Sequence, residues 1–442
     1  MKTRSLLVAV LLLLAGILPA HADAPTVSLV SVPRPGVVLN ETSDSGTSSI
    51  TANGRFVVFE SLAGLVPRDE NGYKDIYLRD RALGTTSLVS KAPAGAAAGD
   101  SFAAAISPNG DTIAFSSVRI LSPLDTNPGM DVYVVTHRAG QLGRPQVLTT
   151  FPGRVGFESA LSVSNIGTVA FSWLPTKEPE LVDSGVYVQR QGRPARLVSG
   201  SITGEPSDGD GFSPSITPDG RFVAFTSDAG DLVAHDGNRA FDVFVRDLAT
   251  DRIKLVSRGP QGEPIWNGDA TQPSISADGQ VVAFRGTAPG WVDSRGAEQV
   301  WARNLTAGTT TLVSVAKNGS APFPRSNAPS ISADGRFVAF SSYAENIVPG
   351  PTDYMRNTRQ IHQADVFIRD LVTGTTRLAS VSDPELKGPC GDDDWDDCES
   401  AFGPSLSSNG RWVTFWSTAG NMVTDTDEFG VSDVFVAGPF AP

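Results

Sequence analysis

Three stretches of the chain place oxygen-bearing side chains at one spacing, Asp-x-Asn-x-x-x-Asp. They are Asp69/Asn71/Asp75, Asp125/Asn127/Asp131 and Asp236/Asn238/Asp242, with a longer variant at Asp425/Asp427/Asp433. Carboxylate and amide oxygens at alternating positions can wrap a hard cation such as Ca²⁺, which takes about six to eight oxygens. The same residue types make side-chain-to-backbone turns at strand ends. The Asp-x-Asp-x-Asp-Gly of firm calcium loops is absent. Turn-making is therefore the plainer reading, and weakly held calcium the sharper one; no other cofactor is implied. The run Asp392 to Asp397 reads as a solvated acidic loop.

A second set of residues could bind by stacking. Phe102, Phe157, Phe212 and Phe402 each stand four residues before an Ile or Leu that opens a repeated phrase, and Trp266 and Phe323 lie a little earlier in equivalent loops. Converging, they would form an aromatic surface for a sugar or a peptide; separately, they would plug gaps between packed sheets. The chain contains no Gly-x-Ser-x-Gly elbow and no room for a hydrolase domain beside its repeats. His137, His235 and His362 have no metal-ligand spacing. A carboxylate pair for glycoside or uronate chemistry is available in this acidic chain, but nothing singles one out.

The elements that must position these residues are repeated. The phrase Ser49-Ile50-Thr51-Ala52-Asn53-Gly54-Arg55-Phe56-Val57-Val58-Phe59 returns with its glycine at Gly110, Gly167, Gly220, Gly279, Gly335 and Gly410. The third copy, Leu161 to Phe171, is worn: Asn165-Ile166 replaces the usual Pro/Ala-Asp/Asn pair. Each copy reads as a short strand, a tight turn in which glycine takes φ > 0, and an apolar second strand. A third strand follows a variable loop, as at Asp75 to Asp80, Asp242 to Asp247 and Asp365 to Asp370. After a Thr-Gly-Thr-Thr type turn comes a fourth, as at Ser87 to Ser90, Lys254 to Ser257 and Thr311 to Ser314. Four antiparallel strands repeated radially make a propeller blade. The fold class is all-β, a seven-bladed β-propeller. The seventh unit ends at Asp433 to Val436 without a fourth strand, while Thr26 to Ser31 is a fourth strand without a blade. Residues 26–31 are therefore expected to complete the last blade and close the ring, removing a free edge.

Strand order puts the Asp-Gly and Thr-Gly-Thr turns on one face of the disc. The loops between second and third strands and between blades fall on the other, with long insertions at Pro349 to Gln363 and Asp383 to Ser400. The second face, with variable loops, is the expected binding face. The turn arginines Arg55, Arg221, Arg336 and Arg411 are expected to pair with strand-end carboxylates such as Asp80, Asp247 and Asp370.

The phrase Ser-Pro/Ala-Asp-Gly-Arg-x-Val-Ala-Phe, followed by Asp-Val-Phe-Val-Arg-Asp, Thr-Gly-Thr-Thr and Leu-Val-Ser, resembles the TolB-like, WD40-like propeller repeat over essentially all of residues 23–442. The resemblance implies a propeller and little about function. TolB itself has six blades and an N-terminal α/β domain, whereas this sequence has seven copies and no such domain.

Residues 1–22 read as a signal peptide: basic Lys2 and Arg4, an apolar run from Leu6 to Leu18, and Ala20-His21-Ala22 before the cut. The run is shorter than the roughly 20 residues a membrane span needs. A secreted or periplasmic location follows, with a composition typical of a GC-rich bacterial genome. Without Lys2 and Arg4, 33 of the 35 Lys+Arg stand against 48 Asp+Glu, a net −15. That balance excludes nucleic acid, which needs a basic footprint. Cys390 and Cys398 are the only two cysteines, and so close a pair in an oxidising compartment reads as one local disulfide contributing about 2.5 kcal/mol. The expected function is a monomeric, non-catalytic binding scaffold whose partner is an envelope protein or an extracellular glycan. The alternative is a carbohydrate-active propeller enzyme, a lyase or hydrolase, using carboxylates at the channel mouth.

Overall fold

The computed structural model describes residues 25–34 and 45–441, apart from 68, 94, 96–98, 127–128, 150–153, 156–159, 175–184, 235, 237, 239, 261, 264–267, 288–290, 349–362, 382–399, 420–421 and 424–431. The signal segment, the Cys390–Cys398 pair and most of both insertions lie outside these residues.

Seven antiparallel sheets follow one another, each ordered from an innermost strand outward. Blade one runs Ser45–Ile50, Phe56–Ser61, Asp75–Asp80, Thr85–Leu88; blade six runs Ser326–Ile331, Phe337–Ser342, Asp365–Asp370, Thr376–Leu378. Blade three is the least regular, its innermost strand reduced to Ser162–Val163 where the worn repeat lies. The hydrophobic core is divided into seven wedges, one between each pair of neighbouring blades. The near-continuous apolar second strands have this cause: alternate side chains of a strand point to opposite faces, and in a propeller both faces are covered. Second- and third-strand aromatics stack across the sheet, as in Phe59–Tyr77 at 5.8 Å and Phe340–Phe367 at 5.6 Å between ring centres.

The ring closes as the repeat arithmetic requires. Thr26–Leu29 pairs antiparallel with Asp433–Gly438, Leu29 opposite Phe435 and Val27 opposite Ala437. Val30 is fully buried in the wedge between blades seven and one. The Ser31 hydroxyl donates to Asp433 and accepts from the Val434 N–H at 3.1 Å.

That last pair of bonds is the local case of a general latch. In every blade, the hydroxyl that follows the fourth strand accepts the N–H of the second residue of the third strand. The distances are 2.9 Å for Ile76 to Ser90, 3.0 Å for Val132 to Thr149 and 2.9 Å for Val186 to Ser199. They are 3.1 Å for Val243 to Ser257, 3.0 Å for Val300 to Ser314 and 3.0 Å for Val366 to Ser380. Where the third strand opens with Asp, the same hydroxyl also donates to that carboxylate, as Thr149 does to Asp131 at 2.6 Å. A fourth strand that is short and peripheral is thereby tied to its blade.

Candidate functional site

The central channel is walled by the innermost strands. Its cavity, about 160 Å³, lies toward the Asp-Gly turn face and is lined by a recurring Ser-Ile type pair, Ser215-Ile216, Ser274-Ile275 and Ser330-Ile331 among them, with turn residues such as Pro218 and Ala277. None of its lining residues is titratable. Five of the serines, Ser49, Ser162, Ser215, Ser274 and Ser330, are already engaged, accepting the Ile or Leu N–H of the next blade, as Ser274 does from Ile331 at 3.0 Å and Ser330 from Leu406 at 2.9 Å. Ala105 holds the equivalent place in blade two and breaks the series.

On the loop face the innermost strands share a second feature. Each regular one carries a register shift, between Phe102 and Ala105, Phe212 and Ser215, Phe402 and Ser405, and at the matching places of blades one, five and six. The bulged residues Ala103, Ser213, Gln272 and Ala328 have φ between 50° and 54°. A non-glycine residue held there costs roughly 1–3 kcal/mol and persists only where its surroundings impose it. Two bulge amides are capped from the preceding blade, Ala103 by Glu60 Oε2 at 3.2 Å and Ala328 by Gln272 Oε1 at 3.1 Å. Only blade seven has glycine at this position, Gly403 with φ 59°, so in the other blades nothing in the sequence marks the bulge.

The bulge sets where the candidate aromatics go. Phe102, Phe212 and Phe402 occupy the same position, immediately before it, and all three are half-buried. Phe212 meets Phe241 edge-on at 5.1 Å. Phe402 lies between Tyr343 at 5.9 Å and Trp416 at 4.8 Å, with the Arg325 guanidinium 4.9 Å above the Tyr343 ring. Tyr343 and Trp416 were missed in the sequence because they fall outside the four-residue spacing. Phe323 is 52% exposed, 5.8 Å from Arg295. Phe157 and Trp266 lie outside the described residues.

The acidic motifs fold into strand-entry corners. Asn71 donates its amide to Asp75 at 2.8 Å, and its oxygen accepts the Tyr73 N–H at 2.8 Å. Asn238 does the same between Asp242 at 3.0 Å and Ala240 at 3.0 Å. Both amide oxygens are thus occupied by backbone. Asp75 also accepts from Ser90 and from the Gly99 N–H; Asp242 accepts from Ser257, and burial holds its carboxyl up at about 6. Asp236 is half-buried and also shifted upward, chiefly by burial. Asp125 is buried and takes the Tyr133 hydroxyl. Asp69 is 7% exposed, its carboxyl pushed up to about 7 by burial and then by the neighbouring charge of Asp75. Asn127, Asp425 and Asp427 lie outside the described residues. Among the described residues, no three His, Cys, Asp or Glu side chains converge as a metal set.

On the turn face, Arg55–Asp80, Arg221–Asp247 and Arg336–Asp370 form the expected two-pronged pairs at 2.7, 2.8 and 2.8 Å. Arg411 makes none among the described residues, because the strand it would reach ends in Gly438 where the other three carry Asp. His137 is buried, its Nδ1 2.8 Å from the Gly110 carbonyl and its ring against Phe56, a packing role.

No family model and no curated protein matches the chain. Solved structures do. An oligogalacturonate lyase from Vibrio parahaemolyticus aligns at 10% identity over 94% of this chain and 97% of that one, with a TM-score of 0.53. The β-propeller domain of the Trilobed protease from Pyrococcus furiosus aligns at 8% identity over 90% and 94%, with a TM-score of 0.50. TolB from Acinetobacter baumannii aligns at 16% identity over 88% and 81%, with a TM-score of 0.39. The Pyrococcus domain is described as having an open velcro topology, whereas here Thr26–Leu29 closes the last sheet. Among the described residues no helix is long and apolar enough to cross a membrane. At these identities the likeness is one of fold, and the chain is a seven-bladed β-propeller with TolB among its structural neighbours.

Proposed function

We propose that the protein is a non-catalytic, extracytoplasmic binding scaffold that presents its loop face to a protein or glycan partner. One observation carries the reading: toward the turn face the channel cavity is lined by equivalent serine and aliphatic residues with no titratable side chain, and most of the recurring serines are taken up by blade-to-blade hydrogen bonds. Acid–base catalysis needs a positioned titratable group within reach of the substrate. The loop-face acids of blades one, two and four serve as strand-entry corners. The half-buried aromatics Phe402, Tyr343 and Trp416, with Arg325 above, offer stacking area and a cation at the channel rim. The extracytoplasmic location rests on the basic, apolar and small-residue order of residues 1–22.

The enzyme reading has the lyase-like fold and the many loop-face carboxylates in its favour. A glycan panel that includes oligogalacturonates, run for binding and for formation of unsaturated or shortened products, separates the two. Binding without turnover, lost in Phe402→Ala with an unchanged melt, supports the scaffold. Turnover that disappears on replacing a loop-face carboxylate establishes the enzyme.

A further inference from the structure

Blades one and two carry the same acidic motif and the same tyrosine, and they use them differently. Tyr77 and Tyr133 hold equivalent places on the third strand, each stacked on a second-strand phenylalanine, Phe59 and Phe115, at 5.8 Å. In blade two the Tyr133 hydroxyl donates to Asp125 Oδ2. Both hydroxyls also stand 2.9 Å from the carbonyl 14 residues upstream, Ala63 for Tyr77 and Arg119 for Tyr133, but in blade one Asp69 makes no bond to the phenol and its Oδ2 is left buried with no hydrogen-bond partner. An unpaired buried carboxylate oxygen is costly and is retained only when something neutralises it. Here a second carboxylate, Asp75, stands close enough to raise that cost.

We propose that blade one holds one hard divalent cation of the calcium class at the Asp69–Asp75 corner, and that the matching corner of blade two is closed to cations by the Tyr133 hydroxyl. The two carboxylates supply charge. Backbone carbonyls and water complete the six to eight oxygens that calcium accepts, a mixed set that a larger, less exacting ion tolerates better than Mg²⁺. With Asn71 clipped to Asp75 and to the Tyr73 N–H, and its own N–H bonded to the Asp69 carboxylate, the corner is formed before the ion arrives, and Asp69 Oδ2 is the oxygen left open. The alternative neutraliser is a proton, and the two differ in what relieves the strain.

Calorimetric titration of the full chain with CaCl₂ at mildly alkaline pH, together with melts in EDTA and in millimolar calcium, tests this. One calcium per chain is expected, with a higher melting temperature. Asp69→Asn should abolish both effects, yet in EDTA it should melt no lower than the unaltered protein, because the amide removes an uncompensated charge. Asp125→Asn should leave the calcium response intact. Tyr133→Phe, which uncaps Asp125, should raise the stoichiometry toward two. Loss of the response in Asp125→Asn, or an unchanged stoichiometry in Tyr133→Phe, overturns the assignment of roles. A protein that gains stability on acidification through pH 7 and ignores calcium holds a proton there, and the cation site is refuted.

Discussion

The seam between blades seven and one and the seam between blades six and seven use the same parts, but blade seven takes its outer strand from the other end of the chain. Both have an apolar wedge. Both have a hydroxyl latch on the opening aspartate, Ser31 on Asp433 in blade seven and Ser380 on Asp365 at 2.8 Å in blade six. Between blades six and seven the chain itself runs across. Between seven and one it runs across too, from Thr26–Leu29, the outer strand of blade seven, to Ser45–Ile50, but that outer strand is held to Asp433–Gly438 by no covalent link, and the contact joins residues about four hundred positions apart in sequence. Closing a loop of that length costs about 5 kcal/mol in chain entropy beyond a constant. The closing seam carries parts to match. Arg81 stacks 4.2 Å above the Trp412 ring and donates to the Gly54 carbonyl at 2.6 Å, and Ser48 donates to Thr414 at 2.9 Å. A Cβ at Gly54 would stand 2.3 Å from the Trp412 ring, so that approach needs glycine for space as well as for its φ of 74°. The ring's one non-covalent joint thus lies within blade seven, between Thr26–Leu29 and Asp433–Gly438, and the seam beside it is reinforced.

The contrast can be broken in graded steps. Removing residues 25–34 deletes the strand opposite Asp433–Gly438, the fully buried Val30 and the partner of Asp433. A loss of about 5 kcal/mol in denaturant unfolding is expected, with self-association through the freed edge visible by light scattering. A truncated protein that unfolds with the intact one would end the closure account. Trp412→Ala should cost about 3 kcal/mol, and more than Phe337→Ala at the equivalent place between blades six and seven. Equal losses would mean that the two seams share the load evenly. Next in size, Ser31→Ala and Ser380→Ala each strip an aspartate, buried Asp433 or half-buried Asp365, and a strand N–H of one partner, about 1–3 kcal/mol. Chemical denaturation should place Ser31→Ala at the upper end of that range. The smallest effect belongs to the turn face. The Arg336 guanidinium holds the Asp370 carboxyl well below the usual carboxylate range. Such a depressed group stabilises the fold above its unfolded pKa, near 4, and the contribution is lost as pH falls through the folded value. Melts of Arg336→Ala should show a small deficit at neutral pH that vanishes in acid, and Arg411→Ala, with no such pair, should show none.

Blade number, strand order and closure could all be read in the sequence, because a repeat states its geometry several times and the unpaired fourth strand at residues 26–31 matches the one missing after Val436. The Arg–Asp pairs could be read for the same reason, and the exception at Arg411 was already written in Gly438. The loop-face bulge is marked only by Gly403 in blade seven; Ala103, Ser213, Gln272 and Ala328 give no local sign of a positive φ. The serine that ends each Leu-Val-Ser phrase was visible as a conserved-looking word within the chain, but its double role on the third strand needs the fold. Least legible was the difference between Asp69 and Asp125. The same residue types surround both, and what separates them is whether the aspartate bonds to the neighbouring phenol.

The closed ring also governs how the molecule comes apart. In a linear array of repeats the terminal units contact one neighbour and fray first. Here blade seven passes to blade one through Val30 and Trp412 as surely as blade five passes to blade six through Ser274. No blade is terminal, so none can unravel alone while its neighbours stay put. Slow amide exchange should therefore spread evenly around the innermost strands, and opening any one wedge should be coupled to opening them all.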